Sequence, residues 1–171
     1  MTVLTTERLI LTPQGTGDFA ALTRLWADAG FTGQIGLPVM SPETVWFRLL
    51  RDIGHWQVFG YGNWAIRRHG DDAYLGSVGL FNYRRDLEPA VDMPEAGWGL
   101  DPAAHGLGYG REALDAVLNH ADQVLKLERT FCIIGADNAP SFRLAARAGF
   151  SDARAATYRG EDLTLLVRAR P

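Results

Sequence analysis

Three glycines at alternate positions mark the stretch of this chain with the clearest chemical use. Residues 105–112 read His-Gly-Leu-Gly-Tyr-Gly-Arg-Glu, after an apolar strand-like run and before apolar residues at helical spacing. Glycines let main-chain N–H groups converge, and a helix N-terminus adds free donors and partial positive charge. The segment therefore predicts a loop that binds a phosphate or pyrophosphate. Considered alone, its glycines are explained about equally well by a tight turn that serves only packing.

Two common phosphate motifs do not fit this spacing. The dinucleotide fingerprint G-x-G-x-x-G requires a glycine where Arg111 stands, and no βαβ unit with a ribose-binding acid follows. The P-loop requires Gly-Lys followed by Ser or Thr, which is absent from the sequence. Neither a Rossmann nor a P-loop site is therefore expected.

Three segments together resemble the GNAT superfamily of N-acetyltransferases. His105-x-x-Gly108-x-Gly110 resembles its acetyl-CoA motif Gln/Arg-x-x-Gly-x-Gly/Ala, with histidine replacing the usual first residue. Residues 138–150 contain Asn-Ala-Pro-Ser and end in Arg-Ala-Gly-Phe, which resembles the second motif, Asn-x-x-Ser…Lys-x-Gly-Phe. Residues 6–11, Thr-Glu-Arg-Leu-Ile-Leu, resemble the opening strand of the ribosomal-protein acetyltransferase (RimJ/RimL-like) branch. The three segments occur in the family's order and cover nearly the whole chain.

The resemblance implies a fold and a reaction. The fold would be α+β in one domain, 1–171. A mixed, mostly antiparallel twisted sheet of six or seven strands would have about four flanking helices and a splayed central strand pair. The reaction would move an acetyl group from acetyl-CoA to a primary amine, on a protein N-terminus or a small molecule. The alternative is a non-catalytic module of the same fold that binds acyl-CoA as a sensor or interaction domain.

The resemblance also implies which residues hold the cofactor. Main-chain N–H groups between Gly106 and Arg111 would bind the diphosphate. Arg111 would either add charge or pair with Asp115 one helical turn later. Asn138 would hold the pantetheine amide, cap a helix, or do both. The complete set expected to bind the cofactor is Leu100, His105, Gly106, Leu107, Gly108, Tyr109, Gly110, Arg111, Asn138 and Ser141.

Ser141 is the first candidate to donate a hydrogen bond to the leaving thiolate. Many GNAT enzymes use a tyrosine four residues before the glycine of the second motif, but that position is Ala145 here. In the ribosomal-protein branch a serine takes this role, and Ser141 matches it. The structural alternative is a first-turn serine that bonds only to free main-chain groups of its helix.

Glu95 is the first candidate for the base that takes the proton of the amine. Period-two alternation places Glu95, Gly97 and Gly99 on one face of a strand, the strand on which the family often carries its base. An ordinary exposed acid at a strand end is the alternative, and Asp92 and Glu161 are weaker candidates. The two bare glycines predict either a path for the pantetheine arm, or a β-bulge or crowding by a helix.

Four helices and seven strands must position these groups. Helical periodicity and capping residues predict helices near 19–29, 42–56, 110–126 and 139–148, with an irregular segment at 30–40. Strands are expected near 8–12, 64–67, 73–80, 95–100, 129–134, 154–158 and 163–168. By the resemblance, the first two helices cover the acceptor site.

Composition limits the class of protein further. A net charge of −3 argues against general binding to nucleic acid. One cysteine, Cys132, excludes an internal disulfide framework and reads as core, and no long uncharged apolar run is present. Together these features predict a cytoplasmic protein that binds no membrane. The four histidines show no metal spacing, so no metal is expected. The oligomeric state is left open, with a homodimer as one possibility.

Overall fold

A nine-stranded mixed sheet forms the centre of the molecule. A computed structural model describes residues 2–171, so residue 1 of the expected domain lies outside them. The strand order is β1-β2-β3-β4-β6-β7-β9-β8-β5, and all neighbours are antiparallel except β6 and β7, which are parallel. The strands are β1 Leu4–Thr5, β2 Leu9–Pro13, β3 Asn63–Arg68, β4 Tyr74–Phe81, β5 Leu87–Glu88, β6 Glu95–Leu100, β7 Arg129–Gly135, β8 Ser151–Tyr158 and β9 Glu161–Ala169.

The expected α+β class is confirmed, with more strands than predicted. The two additional strands, β1 and β5, have two residues each and pair with β2 and β8. Two residues are too few to show the alternation by which a strand is predicted. These short strands exist through pairing with a longer neighbour, which the local sequence does not reveal.

Five helices flank the sheet where four were expected. They are α1 Phe19–Trp26, α2 Ala29–Gln34, α3 Pro42–Phe59, α4 Tyr109–Gln123 and α5 Ala139–Arg147. The predicted helix at 19–29 is interrupted because Asp28 is extended and its Oδ1 accepts a hydrogen bond from Phe31 N at 2.8 Å, which begins α2. Helix α4 ends three residues before the predicted Lys126, whose φ of +55° cannot continue a helix.

Apolar side chains pack on both sides of the sheet. Helix α4 contributes Leu114, Val117 and Leu118 to a core that also contains Trp64 and Ile66 of β3. A second cluster joins α1, α2 and α3, with Tyr74 of β4 packed against it. Each fully buried large side chain stabilises the fold by about 1.5–3 kcal/mol. The sheet is therefore held between α4 on one side and α1–α3 on the other.

Strands β6 and β7 separate soon after they meet. Their register contains one pair, Glu95 with Phe131, and Phe131 N donates to Pro94 O at 3.1 Å. On its other edge β6 pairs with β4 along its whole length, and β7 pairs with β9 in the same way. The expected splayed central pair is therefore present. It leaves the edge of β6 that faces β7 without a strand partner beyond Glu95.

Neither a membrane span nor a metal cluster occurs in the described part of the chain. None of the helices within residues 2–171 is sufficiently long and apolar to cross a bilayer. The same residues contain no group of three or more His, Cys, Asp or Glu side chains placed to hold a metal ion.

Candidate active site

The glycine-rich loop connects the end of β6 to the start of α4. Asp101 Oδ1 accepts from Ala103 N at 3.0 Å and begins a single 3-10 turn, after which the loop turns into the helix. Gly106 and Gly108 have φ values of +75° and +82°, a conformation that L-residues with side chains rarely adopt. No side chain among residues 2–171 caps the N-terminus of α4. The first amides of this 15-residue helix are therefore available to an anion.

His105 connects this loop to the end of β6 by a hydrogen bond. Its Nε2 lies 3.1 Å from the carbonyl oxygen of Leu100, and because a carbonyl can only accept, Nε2 carries the proton. Leu100 is buried, and its Cδ1 lies 3.5 Å from the position of a Cβ added to Gly110. Both residues therefore support the loop, in addition to any contact that they make with a cofactor.

Arg8 and Glu112 stabilise the same loop through hydrogen bonds and an ion pair. Arg8 donates from Nη1 to Leu107 O at 2.9 Å and from Nε to Glu112 Oε2 at 2.7 Å, and its guanidinium lies 4.7 Å from the centre of the Tyr109 ring. Glu112 Oε1 also accepts from Arg8 N and from Thr6 Oγ1. Partial burial opposes ionisation of Glu112, but the hydrogen bonds from Thr6 and Arg8 hold its pKa below the usual value. Sequence reasoning used residues 6–11 only as a family signature and missed this contact.

Arg111 pairs with Asp115 rather than standing free. Its Nε donates to Asp115 Oδ2, one turn along α4. Pairing with Asp115 is one of the two roles that the sequence left open for Arg111. Both side chains are exposed, so the pair contributes about 0.3–0.5 kcal/mol and can open to a phosphate at little cost.

Ser141 and Trp98 meet where α5 passes β6. Ser141 N donates to Asn138 Oδ1 at 3.1 Å, so Asn138 caps α5 as expected. Trp98 Nε1 donates to Ser141 Oγ at 3.2 Å. An indole N–H is only a donor, so the hydroxyl proton of Ser141 remains free for another acceptor. Nothing in the sequence around Trp98 indicated a contact with a residue 43 positions away.

Glu95 lies at the point where β6 and β7 separate, and it is already ion-paired. It is 6% exposed, and Arg85 holds both of its oxygens, Nε to Oε2 at 2.5 Å and Nη2 to Oε1 at 3.0 Å. Burial disfavours the charge on Arg85, but the hydrogen bond and charge of Glu95 outweigh it and raise the pKa of Arg85. The carboxylate is therefore neither exposed nor free, and no pattern in the sequence indicated Arg85 as its partner. The weaker candidates Asp92 and Glu161 are both exposed.

The glycines of β6 make room for the protein's own aromatic rings. A Cβ on Gly97 would lie 2.8 Å from Phe81 Cε2, and one on Gly99 would lie 3.0 Å from the Phe31 ring. Crowding by neighbouring elements is thus the explanation, and the idea that their bare face is the pantetheine path is wrong. The unpartnered edge of β6 is the part of the strand that remains open.

The two faces of β6 carry different candidate groups. Gly97 and Gly99 face Phe81 of β4 and Phe31 of α2, so Glu95, which alternates with them, belongs to the α1–α3 side of the sheet. Trp98 faces Ser141 of α5 on the opposite side. The two candidate groups are therefore on opposite faces of β6, and the carboxylate of Glu95 is held by Arg85.

Cys132 does not contribute to this chemistry. It lies in β7 and is 1% exposed. Burial, and secondarily the charge of Glu95, raise the pKa of its thiol well above the usual range. A thiol that stays protonated is a poor nucleophile, as expected for a core cysteine.

A nine-stranded sheet with a splayed central pair and a glycine-rich turn at a helix N-terminus is the arrangement of an acetyltransferase of the GNAT type. The family model described as "Acetyltransferase (GNAT) domain" matches residues 8–151, and the chain belongs to this family. It is therefore an acetyl-CoA-dependent acetyltransferase by family.

Solved structures agree with this assignment. A protein from Bordetella pertussis assigned to the GnaT acetyltransferase family is 30% identical, with a TM-score of 0.83 over 99% of this chain and 100% of that one. RimL, a ribosomal-protein α-N-acetyltransferase crystallised with coenzyme A, is 19% identical, with a TM-score of 0.78 over 98% of each chain. Spermidine N-acetyltransferase from Vibrio cholerae, in complex with CoA and spermine, is 16% identical, with a TM-score of 0.74 over 96% of this chain and 97% of that one. The last two share the fold.

Proposed function

We propose that this chain transfers the acetyl group of acetyl-CoA to a primary amine, on a protein N-terminus or a small molecule, by direct attack of the amine. The observation that carries the proposal is the gap between β6 and β7, which has a hydroxyl on one face and a carboxylate on the other. Its supports are the uncapped start of α4 and the open edge of β6.

The residues present fit the cofactor. Main-chain N–H groups from Gly106 to Arg111 would bind the diphosphate, because they lie at an uncapped helix N-terminus. The open edge of β6 offers main-chain groups to the amides of the pantetheine arm. Asn138 Oδ1 is engaged by Ser141 N, which leaves its Nδ2 hydrogens for the same arm. When bound, acetyl-CoA supplies the activated acyl group as a thioester.

Ser141 would stabilise the leaving thiolate. Its Oγ accepts from Trp98, which directs the hydroxyl proton away from the indole. A serine hydroxyl is a weak acid, so its contribution is a hydrogen bond to the developing negative charge rather than full proton transfer. A hydrogen bond to a charged group is worth about 1.5–3 kcal/mol. Trp98 is, in this proposal, a positioning residue for Ser141.

Glu95 would accept the proton of the amine, directly or through a water molecule. How strong a base is needed depends on the pKa of the acceptor amine. An α-amino group with a pKa of about 8 is roughly one-tenth uncharged at pH 7, whereas a lysine-like amine near 10.4 is uncharged in about one molecule in 2,500. A carboxylate held by Arg85 is sufficient for the first and weak for the second, so α-amino acceptors suit this site better.

The alternative function is a GNAT-fold module that binds acyl-CoA without turnover. The observation in its favour is the two-point contact of Arg85 with Glu95, which occupies both carboxylate oxygens. In such a module the pair would be purely structural, and no group would take the proton of an amine.

The two functions are distinguished by turnover. The protein is incubated with acetyl-CoA and a panel of amines, and free CoA thiol is followed. Enzyme function predicts thiol release with at least one amine, reduced about tenfold to a hundredfold in Ser141→Ala with CoA affinity maintained. Tight CoA binding without release across the panel would favour the module, and an equal rate in Ser141→Ala would remove Ser141 from the mechanism.

Domain organisation and location are part of the same proposal. We propose that residues 1–171 form one GNAT domain and that the protein acts in the cytoplasm. The buried free thiol of Cys132 is compatible with a reducing compartment. Its partners would be acetyl-CoA and the amine acceptor, without nucleic acid or membrane.

A further inference from the structure

The acids on the α3 side of the sheet already have cationic partners. Asp52 of α3 is 4% exposed, and its Oδ1 accepts from Tyr83 OH at 2.7 Å and from Arg51 Nη2 at 2.8 Å. Its Oδ2 accepts from Asn63 Nδ2 at 3.2 Å. Glu95 is bound by Arg85 in the same region. Each of these two carboxylates therefore already has an arginine partner.

The loop that follows β4 is fixed against α3. His55 Nδ1 lies 2.7 Å from the carbonyl oxygen of Tyr61, and its Nε2 accepts from Asn82 N at 2.9 Å. His55 is therefore neutral with its proton on Nδ1, and burial lowers its pKa. Tyr83 stacks on Phe81 with ring centres 4.7 Å apart and planes 7° from parallel. The arginines carried by this loop are thus held on an anchored segment.

Arg48 of α3 is a partly buried cation with no ion-pair partner among residues 2–171. Its guanidinium lies 4.1 Å from the centre of the Trp26 ring. Within residues 2–171 it takes part in none of the side-chain hydrogen bonds or ion pairs. Burial, reinforced by the charge of Arg51, lowers its pKa to about 10. Because five N–H donors in a partly buried position are costly without acceptors, this arrangement suits a ligand that supplies them.

Arg48 lies on the same side of the sheet as Glu95. The Trp26 ring packs edge-on against Phe31, with centres 5.1 Å apart. The Phe31 ring in turn lies 3.0 Å from the Cβ position of Gly99 in β6. The charge of Arg85, the partner of Glu95, also acts on Arg48, so a group bound by Arg48 lies on the side of β6 that carries Glu95, opposite Ser141.

A cavity of about 450 Å³ lies beside the C-terminal half of α3, and Arg48 is not among the residues that line it. It is bounded by α3, the loop after β4 and the β8–β9 turn, and its charged lining is Arg51, Arg84, Arg85, Asp86 and Arg159. Two of the four arginines are ion-paired, Arg51 with Asp52 and Arg85 with Glu95. Arg84 and Arg159 against Asp86 leave the cavity a small positive excess, which favours anions over polycations. Arg85, the partner of Glu95, lines this cavity, so an acceptor that enters from this side meets positive charge there.

We propose that the acceptor is an amine that also carries a carboxylate, and that Arg48 is the residue that binds this carboxylate and so determines acceptor specificity. This inference rests on the proposed acetyltransferase function. A guanidinium presents paired N–H donors that match the two oxygens of a carboxylate. Two sources share this chemistry, a free amino acid and a peptide N-terminus followed by Asp or Glu.

The inference separates this chain from an enzyme that acts on polyamines. Spermidine and spermine are polycations, and the arginines at this cavity would repel them. The shared fold with spermidine N-acetyltransferase therefore does not extend, in this proposal, to the acceptor.

The test compares acceptors with and without the carboxylate, and kcat/KM is calculated per uncharged amine because a nearby carboxylate also raises the pKa of the amine. Alanine is compared with alaninamide, aspartate with asparagine, and a tetrapeptide with Glu at its second position with the same peptide carrying Gln. For at least one pair, kcat/KM is expected to favour the more acidic member by about tenfold to a hundredfold. The pair that shows the preference identifies the source. Arg48→Gln is expected to collapse this ratio, chiefly through KM, and Arg48→Lys to restore part of it.

Controls keep this inference distinct from the proposed function. Arg170→Gln removes an exposed arginine at the other end of β9 and should leave the ratio unchanged. The thermal shift given by CoA should persist in Arg48→Gln, which shows that the variant is folded. Turnover without preference for the carboxylate member, or an equal preference in Arg48→Gln, would overturn this inference alone.

If no amine is turned over, the acceptors are titrated against the CoA-bound protein by calorimetry. Carboxylate-dependent binding that Arg48→Gln abolishes would then support the inference while the proposed function fails. If the acceptors show no such carboxylate-dependent binding, the inference is overturned together with the proposed function.

Discussion

Replacing Glu112 with glutamine tests whether the first strand holds the glycine-rich loop in place. Glu112 accepts three hydrogen bonds, from Thr6 Oγ1, Arg8 N and Arg8 Nε. Glutamine keeps the shape but removes the charge. Because the Arg8 side chain is 44% exposed, its ion pair contributes at most about 1 kcal/mol. The weakened hydrogen bonds add a similar amount, so we expect a loss of about 2 kcal/mol in the free energy of unfolding.

That loss corresponds to a Tm lower by about 4–8 °C for a chain of this length. Affinity for CoA should fall in parallel, because Arg8 also binds the carbonyl of Leu107 within the loop. The matched control is Asp115→Asn, one turn further along α4, which breaks the exposed pair with Arg111 and should cost only about 0.3–0.5 kcal/mol. Differential scanning fluorimetry, with and without CoA, measures both effects.

The difference in stability between wild type and Glu112→Gln should depend on pH, and the pKa of Glu112 determines the direction of that dependence. The pKa of Glu112 is lower in the folded protein than in the unfolded chain, so its contribution is present above the unfolded value and is lost as pH falls through the folded value. The stability curves of wild type and Glu112→Gln should therefore converge in acid. Equal Tm losses in Glu112→Gln and Asp115→Asn, or no convergence at low pH, would refute the reasoning.

Two further predictions concern the reacting groups. Trp98→Phe removes the indole donor to Ser141, so kcat should fall severalfold at constant CoA affinity. The double variant with Ser141→Ala should lose no more activity than Ser141→Ala alone. Additive losses would show that the two residues act separately. Glu95→Gln should lower the rate near neutral pH and recover part of it at high pH, where the free amine is abundant, and it should lower Tm because Arg85 loses its anionic partner. A pH–rate profile that matches wild type would exclude Glu95 as the base.

Most of the cofactor side could be predicted from the sequence because its signals are local. Glycines at positive φ in the loop, the cap at Asn138 and the apolar period of α4 each act within a few residues, and the structure contains all three. The splayed pair followed from the family resemblance. The second helix, α2, was missed because six residues with two glycines show no period, and only the cap at Asp28 marks its start.

The partners of the candidate groups could not be predicted in this way. Arg8 and Glu112 are 104 positions apart, and Trp98 and Ser141 are 43 apart. Arg85 reaches Glu95 from an irregular loop that has no periodicity to place it. Such contacts depend on how the strands cross in space. The chemistry of Glu95 was therefore inferred without the cation that holds it.

The position of Ser141 and Glu95 on opposite faces of β6 has a consequence for the order of events. Under the proposed function, coenzyme and acceptor approach the gap from opposite directions, so neither obstructs the route of the other. Both can occupy the protein at once, and steady-state kinetics should show intersecting rather than parallel double-reciprocal lines. Free CoA can then leave on the side from which acetyl-CoA entered, and the acetylated amine on the side from which the acceptor entered.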